Sequence, residues 1–218
     1  MRPPDEDAAF NHKVHYGRYV SRRLRRALRA VLAADVEAAT LLVLQRGREW
    51  EDTKGPVQDA RADRDAADDE LDTIAQDARA RLAGRSADAV KKAPYTLIFP
   101  EGVGYYTAAP IDEEKKRYDE LQKRLTEHLP ANDEVQKDAV PKIIAGLAAF
   151  EAAEKALATS LTAESLASTR LDAAEDAFRR LMTKVYGLLV SELGKPAAEK
   201  FFPRPSGARR KKGGGSED

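Results

Sequence analysis

Apolar residues recur every three or four positions along most of this chain, which is the pattern of helices that bury one face. The first such run predicts a single helix over residues 11–48. Because this spacing lets helices cross at a shallow angle, we expect close packing along the apolar face. The residues of that face are Val20, Leu24, Ala27, Val31, Ala34, Ala38 and Leu41.

The segment DTKGPV predicts a turn after this first helix. Gly55 suits a turn, and Pro56 suits the first position of a new helix. We expect that second helix over residues 56–83, with Gly84 as its C-terminal cap. The two helices would then form a hairpin over residues 11–84.

The helical pattern resumes after a crossover over residues 85–111. One helix is expected over residues 112–129, where Pro130 follows its end. Two more helices are expected to meet at a turn near residues 158–164 and to finish near Gly194. The inner face of the helix over residues 112–129 is expected to carry Tyr118, Leu121, Leu125 and Leu129.

A weak internal repeat supports the turn near residues 158–164, which contains no glycine or proline. DAADDEL at residues 65–71 matches DAAEDAF at residues 172–178. Each half also closes on an aromatic residue followed by proline, in the segments IFP and FFP. Since such patterns recur by chance in alanine-rich chains, both a duplication and a chance match stay open.

Together these elements predict an all-α protein, an elongated antiparallel four-helix bundle formed by four main helices with coiled-coil-like seams. Two helical hairpins, duplicated if the repeat is real, would be joined by an ordered crossover loop. The bundle would span residues 11–203, with residues 112–203 as its second half. Residues 1–10 are expected to be flexible, and the basic, glycine-rich residues 204–218 to be disordered. Alanine-rich faces bury little apolar area, which favours an oligomer.

The crossover contains the stretch YTLIFPEGVGYY, whose glycines raise the question of a phosphate-binding loop. Gly102 and Gly104 are not followed by the required third glycine, because Thr107 stands there, and no Gly-Lys-Ser/Thr follows. We expect instead that Tyr105 and Tyr106 are exposed and offer a partner-binding surface. The residues expected to pack against one end of the bundle are Tyr95, Leu97, Ile98 and Phe99.

The overall charge is balanced, with 37 Lys and Arg against 37 Asp and Glu. A net charge of zero gives no general attraction to nucleic acid or membrane. The chain has no cysteine, which excludes disulfides and thiolate metal sites. Its longest apolar runs are too short to span a membrane, and the first residues lack the apolar region of a signal peptide. These features favour a cytoplasmic protein.

The strongest local charge lies in GRYVSRRLRRALRA, residues 17–30. Its arginines fall opposite Val20 and Leu24 on a helix, which makes the segment basic and amphipathic. The arginine face consists of Arg18, Arg22, Arg25, Arg26 and Arg29. Such a face binds nucleic acid, an anionic membrane or an acidic protein, or it is neutralised within the molecule. The candidates for internal neutralisation are Asp59, Asp63, Asp65, Asp68, Asp69 and Asp72.

The sequence offers no constellation that points to catalysis or to a metal. The histidines His12, His15 and His128 have no glutamate three residues before them, as di-iron helical bundles require. There is no Gly-x-Ser-x-Gly elbow for a nucleophilic serine. We therefore expect no catalytic residue, no metal ligand and no cofactor.

The sequence thus predicts a non-enzymatic structural or protein-interaction protein, oligomeric, whose partner is an unidentified protein or a second copy of the chain. The alternative is a binder of anionic surfaces, nucleic acid or membrane, through the arginine face of the first helix. No small-molecule substrate is evident. A salt-dependent binding assay separates the two hypotheses, because only contacts with a dense anionic surface weaken steeply with salt.

Overall fold

The computed structural model describes residues 8–203, of which 85% are helical and none lies in a strand. The protein is therefore all-α, as predicted. The predictions for residues 1–7 and 204–218 lie outside the described residues. The helices are α1 (Phe10–Arg26), α2 (Ala30–Ala83), α3 (Tyr95–Ile98), α4 (Gly104–Thr107), α5 (Ile111–His128), α6 (Glu134–Leu193) and α7 (Lys195–Ala198).

The chain divides into two compact units. Unit 1 consists of the described residues of Met1–Lys54 and of Ala163–Asp218, and unit 2 consists of Gly55–Thr162. Unit 1 contains α1, α7, the beginning of α2 and the end of α6. Unit 2 contains α3, α4 and α5, the end of α2 and the beginning of α6. Each unit is thus built on one shorter helix and one part of each long helix.

The core of unit 1 lies between α1, α2 and α6. In this unit α2 and α6 run antiparallel, because Arg29, just before α2, pairs with Glu192 near the end of α6. Helix α1 packs so closely on α2 that Gly17 lies against Thr40. The large buried residues of this core are Phe10, Val14, Tyr16, Val20, Leu24, Val36, Val43, Leu171, Phe178, Met182, Val185, Leu189 and Phe202.

The core of unit 2 lies between α2, α5 and α6, and the crossover packs against it, with α3 and α4 in contact with α5. Arg81 of α2 pairs with Asp138 near the start of α6, so the two long helices are antiparallel here as well. Ile98 and Phe99 are buried in this core, as predicted, and Tyr95 is half-buried beside them. Leu97, in contrast, is 48% exposed, so the prediction that it packs inward is wrong.

The predicted single helix over residues 11–48 is wrong, because α1 ends at Arg26 and α2 begins at Ala30. The Arg29 amide donates to the Leu24 carbonyl, and the Leu28 amide donates to the Arg25 carbonyl. This is the Schellman arrangement that ends many helices. It requires a residue with positive φ, usually glycine, and here Leu28 adopts φ 59°. No glycine marks this end, so the sequence pattern runs through it.

The two predicted turns at DTKGPV and at residues 158–164 are also wrong. Helix α2 continues through Gly55 and Pro56, and α6 continues through residues 158–164. Each part of a long helix is held by the core of its own unit. In unit 1 Val43 of α2 is buried, and in unit 2 Val57 is buried. Packing of both flanks therefore outweighs the local cost of glycine and proline in a helix.

The continuity of α2 is tested by Gly55→Ala. Apart from its two chain neighbours, a Cβ at this exposed position would meet nothing within 4 Å, but Pro56 disfavours the helical conformation of a preceding residue that carries a Cβ. We expect the gain in helix propensity to be largely offset, so that the free energy of unfolding changes by less than about 1 kcal/mol in urea denaturation. Gly187→Ala, an open position within α6 with no proline after it, is the control and should give the full gain of about 1 kcal/mol. A loss well above about 1 kcal/mol for Gly55→Ala would indicate that Gly55 occupies a turn that only glycine adopts easily.

The two units use corresponding buried positions. Along α1 and α5 these positions recur at a constant offset, pairing Lys13 with Glu114, Gly17 with Tyr118, Val20 with Leu121, and Leu24 with Leu125. The ends of α2 and α6 correspond in the same way over the sequence repeat. There the pairs of buried residues are Ala67 and Ala174, Leu71 and Phe178, Ala75 and Met182, Ala78 and Val185, and Leu82 and Leu189.

Candidate functional site

The predicted arginine face forms one side of a groove between α1 and α2 in unit 1, which we call the arginine groove. It has a volume of about 560 Å³. Helix α1 contributes arginines because its apolar positions, including Val20 and Leu24, point the other way into the core. Helix α2 contributes the opposite wall. The residues that line the groove are Arg18, Ser21, Arg22, Arg25, Arg26, Glu37, Thr40 and Leu41.

The arginines of this face differ in their partners. Arg25 forms an ion pair with Glu37 across the groove, and both side chains remain about half exposed. Arg29 pairs with Glu192 of α6 and does not line the groove. Arg18, Arg22 and Arg26 are exposed, and none of them forms an ion pair with any residue of the described range 8–203. The structure therefore brings four of the five predicted arginines together.

Internal neutralisation of the arginine face is only partial. The aspartates expected to provide it lie at residues 59–72, which belong to unit 2. The partners that the structure shows are Glu37 and Glu192, both within unit 1. Exposed ion pairs of this kind contribute little to stability, so Arg25 can exchange its partner at small cost.

The predicted partner surface on the crossover is corrected by the structure. Tyr106 is fully buried; its hydroxyl donates to the Ile98 carbonyl at 2.8 Å and accepts from Arg124 at 2.9 Å. Burial raises its pKa to about 12. Tyr105 is half-buried, with its hydroxyl on Glu120 and its ring under the guanidinium of Arg117. Both side chains are therefore engaged within unit 2.

A second polar cluster lies in unit 2, where α2 meets α5. Asp68 and Asp72 stand one turn apart on α2, and Glu114 lies beside them on α5. One carboxylate oxygen from each lies within 4.8 Å of the other two. Glu114 is 1% exposed, and the two aspartates are half-buried. We call these three residues the acidic trio.

Tyr118 fixes one member of the acidic trio. Its buried hydroxyl donates to Oδ1 of Asp72 at 2.8 Å. Burial, with the carboxylate of Asp72 as a second cause, raises the pKa of this hydroxyl well above its ordinary value. Tyr118 therefore stays a hydrogen-bond donor, and Asp72 is held in one orientation.

The electrostatics of the acidic trio are unfavourable as they stand. Burial, and next the negative charge of Asp68, raise the pKa of Glu114 to about 8. Burial also raises the pKa of Asp72, against the hydrogen bond from Tyr118. The Oε1 atom of Glu114 is buried and has no hydrogen-bond partner among residues 8–203.

The positive charge of Arg117 lowers the pKa of Glu114, against the effects of burial and of the two aspartates. The guanidinium of Arg117, however, is bound elsewhere. It donates to the carboxylate of Glu113 and to the carbonyl of Tyr105. The charge of the acidic trio is therefore only weakly balanced by the residues around it.

Sequence reasoning expected no metal ligand, and it missed the acidic trio. A signal was present, because Glu114 lies one turn before Tyr118 and so extends the inner face of α5. The sequence pattern does not show which part of α2 lies beside Glu114. Among the histidines, His12 and His15 are exposed and His128 is half-buried, and none belongs to the trio.

Comparison with known proteins adds no assignment: no protein-family model, no curated protein and no solved structure matches this chain significantly. Within residues 8–203, no helix combines the length and apolarity needed to cross a membrane. Within the described residues, the arginine groove and the acidic trio are the candidate functional sites.

Proposed function

We propose that the protein is a non-enzymatic interaction protein whose arginine groove binds an acidic segment of a partner protein. The observation that carries this proposal is the lining of the groove, in which four arginines face a single glutamate. A concave surface with an excess of one charge concentrates ligands of the opposite charge.

The free guanidinium groups supply the binding chemistry. Arg18, Arg22 and Arg26 project from α1 without an internal ion pair in the described residues. A guanidinium presents parallel N–H donors that match the two oxygens of a carboxylate. Several such groups along one helix can therefore engage successive acidic side chains of a bound segment.

An apolar contact favours a protein partner over a phosphate backbone. Leu41 lines the groove from α2 and is 55% exposed. An acidic segment of a protein can include apolar side chains that cover this leucine, whereas a nucleic acid backbone has none. The alternative partners, nucleic acid and anionic membrane, would use the same arginines through phosphate contacts.

Binding is tested with four labelled probes: a glutamate-rich helical peptide, a single-stranded oligonucleotide, vesicles containing an anionic phospholipid, and a copy of this chain. We expect the peptide to bind at low salt and Arg22→Glu/Arg26→Glu to weaken its binding about 100-fold. This estimate assumes about 1.5 kcal/mol for each charge-assisted contact that is lost. Fluorescence anisotropy measures the dissociation constants.

The matched control is Arg61→Glu/Arg79→Glu, which reverses two exposed arginines of α2 in unit 2. The control should bind the peptide as the original protein does. Preference for the oligonucleotide or the vesicles would assign the groove to an anionic surface instead. Binding of the labelled copy alone would make self-association the role, for which the exposed Leu28 and Val31 offer apolar contacts. If both variants weaken peptide binding equally, the arginine groove is not the binding site.

A further inference from the structure

Unit 1 buries a positive charge where α1 meets α6. Lys13 of α1 is 7% exposed, and its ammonium forms an ion pair with Glu175 of α6. A buried charge is strongly unfavourable unless a group of opposite charge lies beside it. In unit 1 Lys13 and Glu175 each provide the opposite charge that the other needs.

Unit 2 places two carboxyl groups at the corresponding position. The alignment that matches Val20 with Leu121 also matches Lys13 with Glu114. The alignment over the sequence repeat matches Glu175 with Asp68. The carboxylate of unit 1 therefore has its counterpart in unit 2, but the ammonium is replaced by a further carboxylate.

The surroundings of Glu114 do not supply the missing cation. Its Oε1 atom has no hydrogen-bond partner in the described part of the chain, and its side chain is 1% exposed. Arg117, the nearby cation, is engaged by Glu113. Asp72 adds a third carboxylate to the same place. A positively charged ligand is the group that this arrangement lacks.

We propose that the acidic trio binds an oxygen-preferring divalent cation, one of Mg²⁺, Mn²⁺ and Ca²⁺, which takes the place that the Lys13 ammonium has in unit 1. The donors are carboxylate oxygens without any cysteine or histidine, the set that these hard cations prefer. This site shares no residue with the arginine groove, so the two proposals stand or fall separately.

The geometry fits one ion among the three side chains. Carboxylate oxygens that bind one such cation lie about 2.0–2.6 Å from it, so two of them are at most about 5 Å apart. The oxygens of the acidic trio lie within 4.8 Å of one another. Tyr118 holds Oδ1 of Asp72, and both aspartates are half-buried, so part of their surface is in contact with solvent.

The first test is thermal unfolding of the full chain in chelator-treated buffer, with Mg²⁺, Mn²⁺ or Ca²⁺ added alone. At an ion concentration about 100 times the dissociation constant, we expect the Tm to rise by roughly 5 °C or more. Isothermal titration should give one ion bound per chain. A Tm that does not respond to any of the three ions overturns the proposal.

Three variants locate the site. Glu114→Gln should weaken ion binding at least tenfold, because it removes the charge of the most buried ligand. Glu114→Lys should restore the pairing of unit 1, raise the Tm without metal and abolish the response to ions. Asp119→Asn removes an exposed carboxylate of the same helix and should respond as the original protein does.

A spectroscopic readout separates ion binding from a change in stability. Tb³⁺, which replaces Ca²⁺ at oxygen sites, should luminesce on excitation of tyrosine because Tyr118 contacts a ligand of the site. Tyr118→Phe should reduce this emission, and Glu114→Lys should abolish it. If Glu114→Gln instead raises the Tm while no ion binds, Glu114 shares a proton with Asp68, and the cation proposal is wrong.

Discussion

Substitution of alanine for Tyr106 is expected to lower the free energy of unfolding by about 4 kcal/mol, the largest effect of any single change considered. The ring is fully buried in unit 2 and meets Phe99 edge to face at 5.7 Å between centroids. Removing a buried aromatic side chain leaves a cavity, and such changes cost about 3–5 kcal/mol. Urea denaturation followed by circular dichroism measures the loss.

Two control variants separate the ring of Tyr106 from its hydroxyl and from the crossover as a whole. Tyr106→Phe keeps the ring but leaves the Ile98 carbonyl without its donor, and should cost about 1–2 kcal/mol. Leu97→Ala alters a side chain of the same crossover that is 48% exposed, and should cost about 0.5 kcal/mol or less. If Tyr106→Ala lowers the free energy of unfolding no more than Leu97→Ala does, the crossover does not pack tightly on unit 2 and Tyr106 is not buried.

Substitution of leucine for Gly17 is expected to lower the free energy of unfolding by about 3 kcal/mol, the second largest effect. A Cβ on Gly17 would lie 2.1 Å from Oγ1 of Thr40 and 2.9 Å from Cε2 of Phe178. Thr40 cannot easily move, since its hydroxyl donates to the Val36 carbonyl at 2.6 Å. Overpacking of this kind forces α1 away from both long-helix segments of unit 1.

The control for Gly17 is Gly187→Leu, also within a helix of unit 1 but with nothing within 4 Å of its would-be Cβ. Leucine there should be neutral or stabilising by up to about 1 kcal/mol through helix propensity. In the smaller variant Gly17→Ala, a second change Thr40→Ala should recover part of the loss. Equal effects of leucine at both glycines would show that α1 does not pack closely at Gly17.

Periodicity was sufficient to predict the fold class and several helix faces, because a buried face requires apolar residues every three or four positions. It predicted the end of α2 at Gly84 and, to within one residue, both ends of α5. Periodicity could not predict that α2 and α6 each contribute to the cores of both units without a break. Gly55 and Pro56 suggested a turn inside a continuous helix, and Leu28 concealed a true helix end.

The two candidate sites also differ in how far the sequence could predict them. The arginine face could be predicted because it depends only on the angular spacing of residues in one helix. Its concave form could not, because it depends on the break at Leu28 that lays α2 beside α1. The acidic trio joins residues from α2 and α5, and the position of one helix beside another is set by tertiary packing rather than by local pattern.

The division of the chain into units has a consequence for synthesis on the ribosome. Unit 2 is one uninterrupted stretch, Gly55–Thr162, so every segment of its core has been made once residue 162 is added. Unit 1 needs Phe178 and Val185, which come later. Domains tend to fold as their segments emerge, so the inner part of the chain can fold first. Helix α1, although synthesised early, then lacks the α6 part of its core and stays accessible to chaperones or partners until the end of α6 has been made.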